Sequence, residues 1–507
     1  MKPDPAAWLK AENLRRAALA DFASSQDEAA AFEALRKAAS KAPTSAAILT
    51  DLVQFALRTS EGDIARQAAR QLLKLQPPHT AHAHTAAEAL TLLGNALEAR
   101  QAWIRLLDTP HRPESLAALA RLAERNNNLP EANDWLDQAL AAAPRDAGTQ
   151  LIAARIAARR GETDKALGFL LPLTNPAVPA DFRHRALYQL GSLHDRADNA
   201  PTAAKAWKDA KLCLEESYVR EIAACRAQHA LLRARRQRLR QAITPALVAE
   251  WRARRAEPAP APLTVLIGHP RSGTTLLEQV LAAHPRVVDL DEQNALPTAL
   301  QAGIFRHAAG RDEVAALQIA TPAQLSATRR DYRRRISTLH PLDSRSVILD
   351  KNPSLTDSAV FFPAVFPEIR YLTARRDPRD IALSCYQQSV LPDFSNIAWL
   401  RPDTLAADCQ EMLEGWEHLR DCLGPDGGWM EVSYESLCTD FAPNARAATA
   451  FMGLEWDPLQ ENYQAARPGH RVASPTYADV RAPVHTRSIG RWERYADLIP
   501  ELFTPWL

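Results

Sequence analysis

Residues 268–275 read GHPRSGTT, the Gly-x4-Gly-x-Thr outline of a phosphate-cradling loop. The lysine that such a loop normally carries is missing. Thr274 stands in its place, and an arginine, Arg271, lies inside the turn. Backbone N–H groups around Ser272, Gly273, Thr274 and Thr275 are expected to point at an anion, helped by the N-terminus of the helix that follows. In a nucleotide triphosphatase the loop lysine reaches the β- and γ-phosphates, and Mg²⁺ offsets the remaining charge. Thr274 cannot do this, and a ligand with less charge beyond its 5′-phosphate would tolerate the change. A phosphosulfate meets that condition without an obligatory metal. Arg271, with its planar fork, is then expected to hold the terminal oxyanions. Further along, "VILD" at 347–350 has the form of a Walker-B strand, with Asp350 as a Mg²⁺ ligand in a kinase-like reading.

These groups need a strand before the loop and a helix after it. "LTVLIG" at 263–268 supplies the strand. "LLEQVLAAH" supplies the helix, with Leu276, Leu277, Val280, Leu281 and His284 at core-facing spacing. Further short apolar runs, "RVVDL" at 286–290, "SVILD" at 346–350, "IRYLTA" at 369–374 and "WMEVSY" at 429–434, alternate with helical segments. That alternation predicts a parallel sheet covered by helices.

The first half follows a different grammar. Prolines close similar helical segments at Pro43, Pro77, Pro110, Pro144 and Pro176, at intervals of 34, 33, 34 and 32 residues. A turn signal ending in alanine precedes most of them: "EGDIA" at 61–65, "LGNALEA" at 93–99, "NNNLPEA" at 126–132 and "RGETDKA" at 160–166. The period resembles the tetratricopeptide repeat. Helix pairs with small residues at their contacts cannot bury a face alone, so neighbours must stack. The expected organisation is an all-α solenoid over 1–215, an Arg-rich helical connector with a Pro/Ala linker ("EPAPAP") over 216–262, and an α/β domain over 263–507. Eight arginines fall between Arg233 and Arg255. They read as a solvated helix face or, more sharply, as a docking surface for an acidic peptide.

Bulk properties exclude several classes. A chain of 507 residues is too long for one core. Charged residues make up 24% and apolar residues 46%, and the net charge of +1 gives no general attraction to nucleic acid or anionic lipid. The first residues resemble no secretory signal, and no apolar run reaches membrane-spanning length. Six cysteines without CxxC or metal-ligand spacing read as free thiols in a reducing cytoplasm.

The segment "PRSGTTLLEQVLAAHP" at 270–285 resembles the 5′-phosphosulfate loop of sulfotransferases that use 3′-phosphoadenosine-5′-phosphosulfate (PAPS). It is most similar to the branch of protein-tyrosine sulfotransferases and to bacterial proteins that join tetratricopeptide repeats to such a domain. The resemblance implies a P-loop-type fold and several roles. In "YLTARRDPRDIALSCYQ" at 371–387, Arg376 and Ser384 match the ribose 3′-phosphate element. Gln388 stands where that branch can place another basic residue. Glu292, 21 residues after Arg271, matches the general base, with Asp291 as competitor, and Asn294 replaces the family's next arginine. Lys351 matches the lysine that stabilises the leaving phosphate. Tyr434 falls on the adenosine side. Thr476 matches a serine touching the transferred group, and Arg487, Ser488 and Gly490 belong to the 3′-phosphate side of a closing loop that includes Trp492. The histidine base of the small-molecule branch has His269 and His284 as sequence neighbours of the site, both read as structural. PAPS is the implied co-substrate, PAP the product, with no metal. The expected acceptor is a protein or peptide tyrosine held by the repeats; a small molecule or glycan, a Mg²⁺-dependent kinase, and a repeat scaffold with an inactive nucleotide domain are the alternatives.

Overall fold

The computed structural model describes residues 5–25, 27–59, 61–75, 80–254, 261–290, 292–308, 311–339, 341–466 and 483–507. The chain forms two compact units, Met1–Leu173 and Thr174–Leu507.

The first unit is a tetratricopeptide-like stack of helix pairs. Its pairs are Pro5–Ser25 with Glu28–Lys41, Ala46–Arg58 with Gly62–Leu72, Thr80–Leu92 with Ala96–Arg105, Arg112–Arg125 with Leu129–Ala142, and Ala147–Arg159 with Thr163–Leu170. The turn signals are N-caps: the side chains of Asn95 and Asn128 accept from the backbone N–H of Glu98 and Glu131. The alanine ending each signal is the fourth residue of a second helix. Ala65, Ala99, Ala132 and Ala166 are all fully buried. A methyl group is what the close approach of two helix backbones admits, so the repeat period is a packing constraint.

A sixth pair, Ala180–Arg196 with Ala200–Ser217, keeps the period but packs in the second unit. Its Tyr188 and Trp207 share an apolar cluster with Ile381, Tyr386, Tyr495 and Phe503. The division at Leu173 therefore falls ahead of the boundary at 215 read from the repeats.

The second unit is built on a five-stranded parallel sheet, β1 (Leu263–Ile267), β2 (Val287–Asp289), β3 (Val347–Lys351), β4 (Arg370–Arg375) and β5 (Trp429–Ser433), in the order β2-β3-β1-β4-β5. Each apolar run of the second half is a strand. All five residues of β1 are buried, as a central parallel strand requires. Among the described residues no helix is long and apolar enough to cross a membrane.

The arginine-rich helix Val219–Ala242 keeps the solvated face read from the sequence, with Ile222, His229 and Leu239 buried, but its arginines are also paired within the unit. Leu239, Ile243 and Trp251 pack in one cluster with Val265, Ile348 and Tyr371 of the sheet. Arg233 meets Glu411 at 2.8 Å and Arg235 meets Glu313 at 2.6 Å. Arg236 bridges Asp357 at 2.7 Å and Asp408 at 2.6 Å, and Arg240 reaches Glu414 at 2.8 Å. Among the described residues, the arginines of the run reach acceptors of the same unit. Arg236 and Asp408 are nearly buried, so Arg236→Ala leaves two carboxylates facing each other without their cation. The expected cost is about 3–5 kcal/mol. Arg226→Ala, at an exposed pair with Glu215, should cost at most about 1 kcal/mol. Denaturant titration followed by tryptophan fluorescence compares the two.

Candidate active site

The site lies at the carboxyl ends of the parallel strands, where open α/β sheets present loops and helix N-termini. The loop after β1 turns through three positive-φ residues, Gly268 (148°), Arg271 (75°) and Gly273 (101°). Arg271 is a non-glycine residue in the left-handed region, a conformation that costs about 1–3 kcal/mol and must be held by its surroundings. A Cβ on Gly273 would come within 2.6 Å of the Tyr434 ring, and one on Gly268 within 2.8 Å of the Ala374 carbonyl. These turns deliver the chain to the helix Thr274–Ala282, whose first residues, Thr274 and Thr275, are buried along with Ser272.

The 3′-phosphate candidates gather on the loop. Arg376 donates to the Arg271 carbonyl at 3.0 Å and to the Ser488 carbonyl at 2.5 Å. Its guanidinium lies 4.6 Å from the centre of the Tyr434 ring. Burial pushes the Tyr434 phenol up to about 12. Arg271 Nε donates to Ser384 Oγ at 3.0 Å. The side chain read from the sequence as the holder of terminal oxyanions is thus turned onto the serine of the other element. Gly490 and Trp492 donate their N–H groups to Asp380 at 2.7 and 3.0 Å. Burial raises the pKa of Asp380 while Arg376 pulls it back. Arg491 and Tyr495 in turn engage Asp195 of the sixth helix pair. Arg487 is exposed on the same C-terminal segment. Thr476 and Asp291 lie outside the described residues.

The other half of the site centres on Lys351, at the end of β3. Its Nζ lies 2.9 Å from Glu292 Oε1 and 2.9 Å from Glu278 Oε2. The Lys351 and Glu278 side chains are 1% and 2% exposed, that of Glu292 37%. Burial works against the lysine's charge, yet the two carboxylates hold its pKa above the ordinary range. Asn352 donates to the Glu292 carbonyl at 3.3 Å and to Asn294 Oδ1 at 3.0 Å, fixing the segment that presents Glu292. Asp350, the Walker-B candidate, turns to the opposite side of the strand. It is fully buried and accepts from the Tyr332 hydroxyl at 2.8 Å. Its carboxyl is pushed up to about 7 by burial, with Asp289 adding to the rise. His269 is buried against Cys409 at 3.3 Å, and His284 accepts from the Arg286 N–H at 3.1 Å, so both serve local structure.

Glu278, Asn352, Asp380 and Asp195 went unread in the sequence. Glu278 did leave a signal: a lone acid at a core-facing position between Leu277 and Leu281 demands a cation. The other three carry none without the fold.

Two buried polar atoms bear on whether a nucleotide fits. Ser272 Oγ, in the loop, and Arg376 Nε, beside it, are buried with no hydrogen-bond partner among the described residues. An anion between the loop and Arg376 would satisfy groups that the protein itself leaves unsatisfied.

A phosphate loop without lysine, after the central strand of a five-stranded parallel sheet and near an ammonium from a second strand, makes a P-loop-type α/β architecture. Residues 262–458 match the model of the sulfotransferase family, so the C-terminal half of the chain carries a domain of that family. The chain is 26% identical over 348 residues to an uncharacterised protein of Aquifex aeolicus, an overlap of 66% of this chain and 43% of that one. It is 24% identical over 243 residues to protein-tyrosine sulfotransferase 2 of Gallus gallus, covering 46% of this chain and 63% of that one. The matches thus span less than two thirds of either relative. Among solved structures, the sulfotransferase domain of the Synechococcus PCC 7002 olefin synthase aligns at 20% identity with a TM-score of 0.29, over 47% of this chain and 96% of that domain.

Two variants check this geometry. Gly273→Ala should lower stability by about 1–3 kcal/mol through backbone strain and the Tyr434 contact. Gly415→Ala, in a helix with open space around it, should be neutral or stabilising by about 0.5–1 kcal/mol. The raised pKa of Asp350 means that the folded state binds its proton more tightly than the unfolded chain. That contribution is complete below pH 3.8 and is lost as pH rises through about 7. Asp350→Asn keeps an acceptor for Tyr332 and should flatten this part of the pH dependence, as thermal midpoints at pH 5 and pH 8 will show.

Proposed function

We propose that the chain is a PAPS-dependent sulfotransferase that delivers a sulfuryl group to an acceptor hydroxyl by direct in-line transfer. The observation that carries the proposal is the contact of Lys351 with Glu292 beside a phosphate loop that has no lysine of its own. Ser272, Gly273, Thr274 and Thr275 would hold the 5′-phosphosulfate, and Arg376, Ser384, Ser488, Gly490 and Arg487 the 3′-phosphate side. Arg271 would join the two and Tyr434 would flank the adenosine. PAPS, as co-substrate, supplies the sulfuryl group.

Glu292 takes the proton of the acceptor hydroxyl as its oxygen bonds to sulfur. The electron pair of the breaking S–O bond leaves on the 5′-phosphate, and PAP is the product. Lys351 would stabilise that developing charge, the duty the missing loop lysine leaves open. Thr476 is a further candidate for contact with the moving group. The acceptor we propose is a protein or peptide tyrosine: the base is a glutamate, and one relative is a protein-tyrosine sulfotransferase. The repeat unit is a surface suited to holding such a polypeptide.

Labelled PAPS incubated with the purified chain and host lysate, with the sulfated product identified by mass, tests the reaction and names the acceptor. Glu292→Ala should lose transfer by about 100-fold or more, while calorimetry still detects uptake of PAP. Tight binding of ATP with Mg²⁺, together with indifference to PAP, would sink the proposal in favour of a kinase.

A further inference from the structure

We infer that Glu278 is a positioning residue: a fixed counter-ion that keeps Lys351 charged and in place, and so leaves Glu292 available to accept a proton. The inference rests on the transferase reading above and adds a residue to it.

The argument starts from an asymmetry. Both carboxylates meet the same ammonium at 2.9 Å, but only Glu292 is open to solvent; the Glu278 side chain is 2% exposed. Glu278 stands on the helix Thr274–Ala282, directly behind the phosphate loop, with apolar neighbours Leu277 and Leu281. It cannot reach an acceptor, and a carboxylate so buried persists only when paired. Glu292 follows β2 on a segment held by Asn352. Lys351 projects from the opposite side of β3 to Asp350, whose carboxylate is taken by Tyr332. The ionisable groups facing Lys351 are therefore Glu278 from the loop helix and Glu292 from the segment after β2.

Consider the chain with Glu292 as the lysine's lone partner. Each time Glu292 turned to an acceptor hydroxyl, the ammonium would be left buried and unpaired. It would shed its proton or pull Glu292 back, and either outcome removes one of the two charges the transfer needs. Glu278 prevents both.

Glu278→Gln, nearly isosteric, separates these effects. With labelled PAPS and a synthetic tyrosyl peptide, kcat should fall roughly 10–100-fold, the range for removing a group that orients a functional ligand. KM for PAPS and calorimetric affinity for PAP should stay close to those of the wild type. Without ligand, the alkaline loss of stability should begin at lower pH. In the wild type the lysine's raised pKa contributes stability below the ordinary lysine pKa, and this is lost as pH rises through the raised value. Removing Glu278 lowers that upper limit. Glu278→Asp should recover much of kcat, and it carries the same readouts should the glutamine variant fail to fold. Unchanged kcat and an unchanged alkaline stability profile in Glu278→Gln overturn the inference alone. Loss of PAP affinity in parallel with kcat also overturns it, because the residue would then be a scaffold for the loop. A wild-type chain that binds PAP but moves no label to the peptide overturns the tyrosine reading instead, and the alkaline profile then decides the assignment of Glu278.

Discussion

A buried ammonium is the constraint around which the C-terminal unit is arranged. Lys351 has almost no access to water, and an unpaired charge in that position would cost more than the fold could bear. Its partners come from two elements, the helix behind the phosphate loop and the segment after β2. The loop helix, the segment after β2 and the end of β3 are thereby held at one point. The protein's own carboxylates hold the cation in place, as the proposed transfer would require of a charge that must not reorganise.

A second arrangement of charges supports the first from outside. The helix Val219–Ala242 lays its arginines on Glu313, Asp357, Asp408, Glu411 and Glu414, while its Leu239 joins the core beneath the sheet. Arginine suits this work because its fork can satisfy more than one carboxylate, as Arg236 does with Asp357 and Asp408. At the other end of the unit, Asp380 clasps the backbone of Gly490 and Trp492, and Asp195 holds Arg491 and Tyr495. The sixth helix pair thus steadies the C-terminal segment on which Ser488 stands.

Much of the architecture was legible because it follows periodicities. Prolines near every thirty-fourth position, with a turn signal before most of them, marked the repeats, and the alanines that end those signals are buried. Short apolar runs marked the five strands, most plainly β1 and β3, which are buried throughout and have no polar side to present. The site was legible in part. The loop announced itself through two glycines and its flanking elements, and resemblance pointed to Glu292, Lys351, Arg376 and Ser384. The partners of the arginine run went unread because its acceptors lie far along the chain; Arg235 and Glu313 are 78 residues apart, Arg233 and Glu411 178. A charge run looks solvated until the partners that cover it are known.

By itself, the sequence determined the two grammars of the chain, the strand–loop–helix that makes an anion cradle, and the replacement of the loop lysine by Thr274. All of these depend on residues close together in the chain, where spacing maps directly onto geometry. Tertiary structure alone decided which charges meet. It brought Lys351 to Glu292 across 59 residues, added Glu278 from the loop helix, turned Arg271 onto Ser384 and gave Asp350 to Tyr332. Electrostatic pairing acts through space over a few ångströms, and only the folded sheet, with its five strands ending at one edge, sets those distances.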